Sequence, residues 1–264
     1  MLQKTKVLTL ILFGLLFLNL SAQEDNFSND PEAKLPDSER KYRFGLQFSP
    51  NIAWFKSNTT GYKNERMNIG FSYGLSFEYF MTQNYMISTG IIMLNSGGEL
   101  SYKGTIYSYQ ADIISSYDLS YVEIPLVLKL RTNEIGYLTY FGQFGLKTGL
   151  FYGSKVEHSY TYNDLQSPIP LSYSKKINNV SGDINFINVY LVLGGGIEYN
   201  ISGNTILMLG LTFNNGFVNQ LDKKIPVFDT NGNVVLDQYE NTLYSDKKAS
   251  ANLNYVALNF GIYF

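Results

Sequence analysis

The chain has no cysteine and only one histidine and one tryptophan among its 264 residues. Without a thiol there is no lipoprotein anchor, no disulfide, no thiolate metal site and no cysteine nucleophile. Charge is sparse at 16% and nearly balanced, 20 Lys and Arg against 22 Asp and Glu, so nothing offers the basic surface that nucleic acid requires. Long apolar runs are scarce too. The longest, 7–18, is broken only by Thr9 and Gly14 and falls short of the roughly 20 residues of a spanning helix. Lys4 and Lys6 precede it and Leu20-Ser21-Ala22 follows. The stretch 1–22 therefore reads as a signal peptide cut before Gln23, the alternative being a membrane-anchoring helix. Residues 23–40 are polar, hold Pro31 and Pro36 and show no period, as expected of a flexible periplasmic segment.

What the chain does have is aromatic residues, 22 Tyr and 18 Phe, set in segments of period two. The last stretch is the most telling. Val256, Leu258, Phe260, Ile262 and Phe264 are apolar, while Ala257, Asn259, Gly261 and Tyr263 between them are small or carry a polar group. Period two puts the first set on one face of a strand and the second on the other. Seven more segments follow the same rule: 42–54, 68–81, 85–93, 120–130, 137–152, 186–199 and 204–214. In 68–81, Ile69, Phe71, Tyr73, Leu75, Phe77, Tyr79 and Met81 alternate with Asn68, Gly70, Ser72, Gly74, Ser76 and Glu78.

Two closed architectures fit such a pattern. In a soluble barrel or sandwich the apolar face would point inward. In a transmembrane barrel it points to lipid, and a strand needs roughly 9–11 residues to cross. The face sizes decide between them. An eight-stranded barrel is only wide enough for side chains to fill. The face carrying Gly45, Gly70, Gly74, Gly90, Gly145, Gly149, Gly194, Gly196, Gly210 and Gly261 suits that interior, and the bulky aliphatic and aromatic face does not. The expectation for 41–264 is an all-β, eight-stranded antiparallel up-and-down transmembrane β-barrel with long external loops. Connections alternate between short (after 81, 130 and 199) and long (55–67, 95–119, 153–185 and 215–254), as periplasmic turns and external loops do.

Segment 120–130 contains Tyr121-Val122-Glu123-Ile124-Pro125-Leu126-Val127-Leu128-Lys129. This resembles the Tyr-Leu-Glu-Ile-Pro-Leu-Leu-Leu-Lys block of the PorT-like outer-membrane β-barrel family of Bacteroidota. The glycine-rich segment 137–152 and Gly194-Gly195-Gly196-Ile197-Glu198-Tyr199 are similar to that family's pattern. Tyr121, Glu123, Ile124 and Pro125 are the most specific part. The resemblance implies an eight-stranded outer-membrane barrel and supplies no activity; the functional expectation is a structural or interaction protein, or an accessory of an envelope or secretion assembly.

Candidate chemistry lies first in the inward ions: Arg43, Glu78, Glu123, Lys129, Lys147 and Glu198. If Trp54 pairs near Met67 across the first loop, Arg43 lies opposite Glu78, and if Leu130 pairs near Tyr137, Glu123 sits within a diagonal of Lys147. Charges in a narrow protein-filled interior are costly unless paired, so these six read as a plugging salt-bridge network, the alternative being an ion or proton path. Pro125 removes a ladder donor and predicts a bulge or kink. His158 beside Ser159, in an expected external loop, is the candidate pair for an enzyme acting on outer-leaflet lipid, against a solvated surface histidine. The run 229–233 opens like a calcium loop but has Val234 where that loop needs its sixth-position glycine, and Asn231-Gly232 fits a hairpin turn projecting as a ribbon. Tyr102, Tyr107, Tyr109, Tyr117, Tyr160, Tyr162, Tyr173, Tyr239 and Tyr244 fall in expected loops. They read either as contacts for protein or glycan partners or as a belt and loops packing on one another. No cofactor or metal site is indicated. The expected surroundings are outer-membrane lipid.

Overall fold

The computed structural model describes residues 41–106, 109–162, 171–178, 182–202, 205–229, 233–239 and 241–264. The expected signal peptide, the segment 23–40, Tyr107 and the Asn231-Gly232 turn lie outside them. Eleven strands follow in chain order: β1 (Tyr42–Ser57), β2 (Lys63–Phe80), β3 (Tyr85–Ile106), β4 (Tyr109–Arg131), β5 (Leu138–Tyr162), β6 (Leu171–Asn178), β7 (Ile187–Ser202), β8 (Thr205–Gly216), β9 (Lys224–Pro226), β10 (Tyr244–Lys248) and β11 (Ala251–Tyr263). Eight of them, all but β6, β9 and β10, form an antiparallel ring in the order β4-β3-β2-β1-β11-β8-β7-β5, and β4 pairs with β5 to close it. Closure leaves no ladder edge in the bilayer, where an unpaired backbone group has no water to turn to. The chain's last residue takes part: Phe264 and Phe44 exchange backbone hydrogen bonds of 2.8 and 3.3 Å.

The outer face of the ring is apolar. Ile69, Leu126, Leu193 and Leu75 are 80, 63, 62 and 61% exposed, while Ser72, Ser76 and Asn51 beside them are buried. This is the transmembrane arrangement and excludes the soluble barrel. Inward glycines have a second cause beyond the narrow interior. A Cβ on Gly74 would stand 2.1 Å from the Ile91 carbonyl oxygen, and one on Gly145 would stand 2.3 Å from that of Leu126. The tight curvature brings neighbouring strands over these positions, and only glycine admits the approach. The interior also takes larger groups than the face-size argument allowed: Tyr121, Phe141, Tyr190, Met208, Tyr255 and Tyr263 are all buried there.

The expected bulge at Pro125 is absent. Pro125 pairs in register with Lys147, and the β3–β4 register is the same on both sides, Thr89↔Leu126 and Ile92↔Glu123. Only the two pairings between them are missing. Pro50 does the same: its pairing with Phe71 stands, while the β1–β11 ladder lapses between Phe48↔Phe260 and Asn51↔Ala257. A missing N–H opens one side of a strand locally and leaves the other side intact.

The larger correction concerns the long connections. Most of 95–119 is strand, since β3 and β4 remain paired up to Ile106↔Tyr109. β5 continues to Tyr162, and β6 adds to it there as a ninth strand. Above the bilayer the polarity of the two faces inverts. On β4, Ala111, Ile113, Tyr117 and Leu119 point inward and are buried, while Asp112 and Asp118 point outward. Water has replaced lipid outside, so the apolar side turns to the interior. These side chains form one core with Phe55, Tyr62, Leu100, Val156, Ile184, Leu221, Ala249 and Leu253. The connection between β8 and β11 lies across it as a ribbon. Asn219 holds the ribbon in place, donating to the carbonyls of Leu221 and Ala249 (2.8 and 2.9 Å) and accepting from the amides of Leu221 and Ala251 (3.1 and 2.9 Å).

Arginine at a lipid-facing midplane position costs about 2–4 kcal/mol. Leu126→Arg will therefore impair insertion, and Ser76→Asn, inside the ring, will not do so to the same degree. Heat-modifiable migration on unboiled gels reports the closed barrel. Equal losses from the two substitutions would mean the faces are reversed.

Candidate functional site in the barrel interior

Two ionic layers cross the interior. The layer near the short-turn end gathers Arg43 from β1, Glu78 from β2, Lys129 and Arg131 from β4, and Glu198 from β7. Arg43 Nε bonds Glu78, and its Nη atoms bond both oxygens of Glu198, one at 3.1 Å. Lys129 Nζ donates to Glu78 at 3.1 Å and also to Glu198. Arg131 stands 3.0 Å from Glu198. Arg43, Glu78, Lys129 and Glu198 are each at most 3% exposed. Three cations thus share two carboxylates, and the surplus charge rests on aromatic faces. Lys129 Nζ lies 4.1 Å from the Phe141 centroid, and the Arg43 guanidinium lies 4.6 Å from that of Tyr263. A desolvated cation over a ring face gains enough to help offset its burial.

The second layer is smaller. Glu123 is fully buried, with Lys147 at 3.2 Å, and the Tyr255 hydroxyl donates to its two oxygens at 2.9 and 3.1 Å. Lys147 also donates to that hydroxyl at 2.8 Å. Tyr190 packs edge-on against Tyr255. Above, Tyr121 bonds the buried side chain of Gln220, which enters from the ribbon. Between the layers lies a polar cavity of about 50 Å³, lined by Gln47, Ser76, Gln143, Thr212 and Asn259 among others. It has room for about three or four waters, each needing roughly 10–15 Å³. The Gln47 amide donates to Asn259 at 3.1 Å, and Asn259 donates to Thr212 at 3.0 Å.

All six inward ions are therefore in contact with an opposite charge, in two separate groups. Arg43↔Glu78 is a direct cross-strand pair, and Glu123 reaches Lys147 diagonally past Gly149. What strand-pair reasoning missed is the convergence on Glu198 from across the ring, with Arg131 and the tyrosines of β11. Their inward parity was readable, but a contact through the interior between non-neighbouring strands was not. Of the family motif, Tyr121, Glu123 and Pro125 face inward, and Ile124 faces lipid, 47% exposed.

His158 and Ser159 do not form a pair. Neighbours on a strand point to opposite faces. Ser159 meets Ser174 on the outside at 3.1 Å, while the His158 ring is buried and its Nδ1 lies 2.7 Å from Ser115 Oγ. Ser115 is itself fully buried, and Lys223 of the ribbon donates to the adjacent Tyr102 hydroxyl at 3.0 Å. Burial, with Lys223 close by, lowers the His158 pKa to about 4. Tyr102 and Tyr117 are core side chains, not exposed ones. Tyr239 and Tyr244 stay open on the ribbon, and Tyr173 stays open on β6. Beside the undescribed Asn231-Gly232, the Asn233 amide donates to the Asp229 carboxylate and Phe228 forms an isolated antiparallel bridge with Val234.

Removing one member of a buried ion network leaves the others uncompensated, at about 3–5 kcal/mol. Glu198→Gln should lower the temperature at which the barrel opens far more than Glu157→Gln, whose partner Lys176 is exposed. Thermal unfolding in detergent measures both. The external core has its own pH dependence. His158 stays neutral when folded down to about pH 4 but protonates near 6.5 when unfolded. Between those values the unfolded state binds more protons, so stability falls as pH falls through that window. Protease resistance of 100–118 should decline from pH 6.5 to 4, and His158→Gln should flatten the decline.

The family described as outer membrane protein beta-barrel domain matches residues 21–222. No curated protein matches the chain. Neisserial surface protein A is a similar solved structure, at 11% identity and a TM-score of 0.39, covering 83% of this chain and 95% of that one. OprG from Pseudomonas aeruginosa has 10% identity and a TM-score of 0.39, over 84% and 95%. Ail of Yersinia pestis, solved with the heparin analogue sucrose octasulfate, has 14% identity and a TM-score of 0.33, over 85% and 100%. These likenesses carry no functional argument. The family match covers most of the chain and agrees with the closed ring of eight strands and its apolar exterior. The chain belongs to the outer membrane protein beta-barrel domain family and is an outer-membrane β-barrel protein.

Proposed function

We propose that the protein is a sealed outer-membrane scaffold, a structural or interaction protein that works through its external part or as an accessory of an envelope or secretion assembly. The observation that carries the reading is closure at two levels. The Arg43–Glu78–Lys129–Glu198 network with Phe141 and Tyr263 fills one end of the interior. The core of Leu100, Tyr117, Leu119 and Leu253 under the ribbon fills the other. A narrow eight-stranded ring leaves little space for a water path even before these are added. What remains available to other molecules is the external surface. On this reading the chain is a non-enzymatic, PorT-like barrel of the Bacteroidota type, exported by cleavage of residues 1–22, with protein or glycan partners outside. The lipid-enzyme alternative loses its motive, since His158 and Ser159 face opposite sides.

The test is electrical. Purified protein in planar bilayers should show no steady conductance at neutral pH. Stable open channels of reproducible size would end the sealed-scaffold reading in favour of a pore.

A further inference from the structure

Above the ring, β2, β3, β4, β5 and β6 form a tall blade with two lateral edges. The edges are built differently. At the β2 edge, pairing with β1 ends at Ala53↔Asn68, and the free stretch reads Lys63-Asn64-Glu65-Arg66. It carries charges of both signs and two register shifts against β3, between Asn64 and Arg66 and between Met67 and Phe71. Mixed charge and bulges are how natural sheets refuse a further strand.

The β6 edge has none of this. Its eight residues pair with β5 without a shift, from Lys155↔Asn178 to Tyr162↔Leu171, and no described residue pairs with its other side. It holds no proline and no acidic residue. Leu171 and Tyr173 stand exposed on the inner face, with Tyr173 stacked on Tyr160 at 6.1 Å. Lys175 and Lys176 point to the two faces, and Lys176 is shared with Glu157 of β5 at 3.2 Å. A second copy would bring the lysines of both edges together, which disfavours self-pairing.

We propose that the open edge of β6 is a docking site for an extended acidic segment of a partner protein, added to the blade as a further strand. Its backbone would satisfy the free N–H and C=O groups of 171–178. Its apolar side chains would meet Leu171 and Tyr173, and its carboxylates would meet Lys175 and Lys176. The charge of the edge selects the partner's composition, and the regularity of the ladder admits its backbone. This assignment rests on the reading of the barrel as an external interaction scaffold and names the element through which it would act.

The experiment uses the whole barrel, isotopically labelled in lipid nanodiscs, and two synthetic eight-residue peptides. One sets Val and Tyr on one face and ends in adjacent Glu residues that can reach both lysines; the other has Lys in place of Glu. The Glu peptide should shift the amide signals of 171–178 saturably, and the Lys peptide should not. Lys175→Glu with Lys176→Glu, both at exposed positions, should weaken the Glu peptide about tenfold and admit the Lys peptide. Proline placed singly at Tyr173 and at Ser174 removes, in one case, a donor facing β5 and, in the other, a donor facing the open side. Only the latter should abolish binding while leaving the blade resistant to protease. The proposal is overturned if neither peptide shifts 171–178 at millimolar concentration, if the shifts map to 63–67 or to the ribbon, or if charge reversal leaves the preference unchanged. A barrel that stays electrically silent yet ignores the peptides refutes only this assignment. Steady channels would refute the scaffold reading beneath it.

Discussion

Everything in this molecule follows from one demand, that no backbone N–H or C=O face hydrocarbon unpaired. The ladder must close on itself, and closure with eight strands sets the radius of the interior. The radius in turn dictates what the inward positions hold. Where neighbouring strands press over one another, as at Gly74 and Gly145, even a Cβ is excluded. Where a gap is left, it is spanned by side chains long enough to reach from one wall to the other. Arg43, Lys129, Tyr255 and Tyr263 do this work, and their polar ends must meet in the middle.

That meeting explains the arrangement of charge. A carboxylate such as Glu198 would be too costly alone in this interior. It is held by Arg43, Lys129 and Arg131 from two strands across the ring, and the excess positive charge lies on the Phe80, Phe141 and Tyr263 rings. The second group, Glu123 with Lys147 and Tyr255, is smaller and balanced. Two closed groups separated by a small polar cavity tie the walls together, which supports the proposed reading of a sealed barrel.

The bilayer part of the fold was legible because lipid enforces a strict rule. Alternation over ten or more residues, as in Ile69 to Met81, marks a strand with two unlike faces, and the sizes of those faces assign the bulky one to lipid. Pairing of Arg43 with Glu78 was legible because parity turns both inward and a meeting of Trp54 with Met67 across the first long connection sets the register, as Ala53↔Asn68 now does. The external half was not legible, and the reason is physical. On β4 the inward residues keep the same odd numbers from Ala111 to Lys129, but the apolar residues change sides where lipid gives way to water. A search for one continuous apolar face ends at that crossing and takes the remainder for loop. His158 was misread by the same error, because a residue placed in a loop has no face. Parity carried up β5 from Lys147 and Gly149 would send His158 outward; the register shift between Tyr121↔Phe151 and Ser120↔Gly153 reverses it and leaves His158 inward and Ser159 outward. β6 gave no signal at all: Leu-Ser-Tyr-Ser-Lys-Lys has little apolar content, and its partner is fixed by a contact with β5, not by its own pattern.

The two prolines of the ring show how finely the demand for pairing is met. Pro50 and Pro125 each lack an N–H toward one neighbour and keep the pairing toward the other, at Phe71 and Lys147. A bulge would restore a donor only by shifting register, and a one-residue shift would send every later side chain to the wrong face. With lipid on one side and buried ions on the other, that exchange would place Lys129 in hydrocarbon and Leu128 or Leu130 in the network. A local lapse of two pairings costs less than the inversion of a strand. The ring therefore keeps its register through both prolines and confines the loss to the one ladder each proline interrupts.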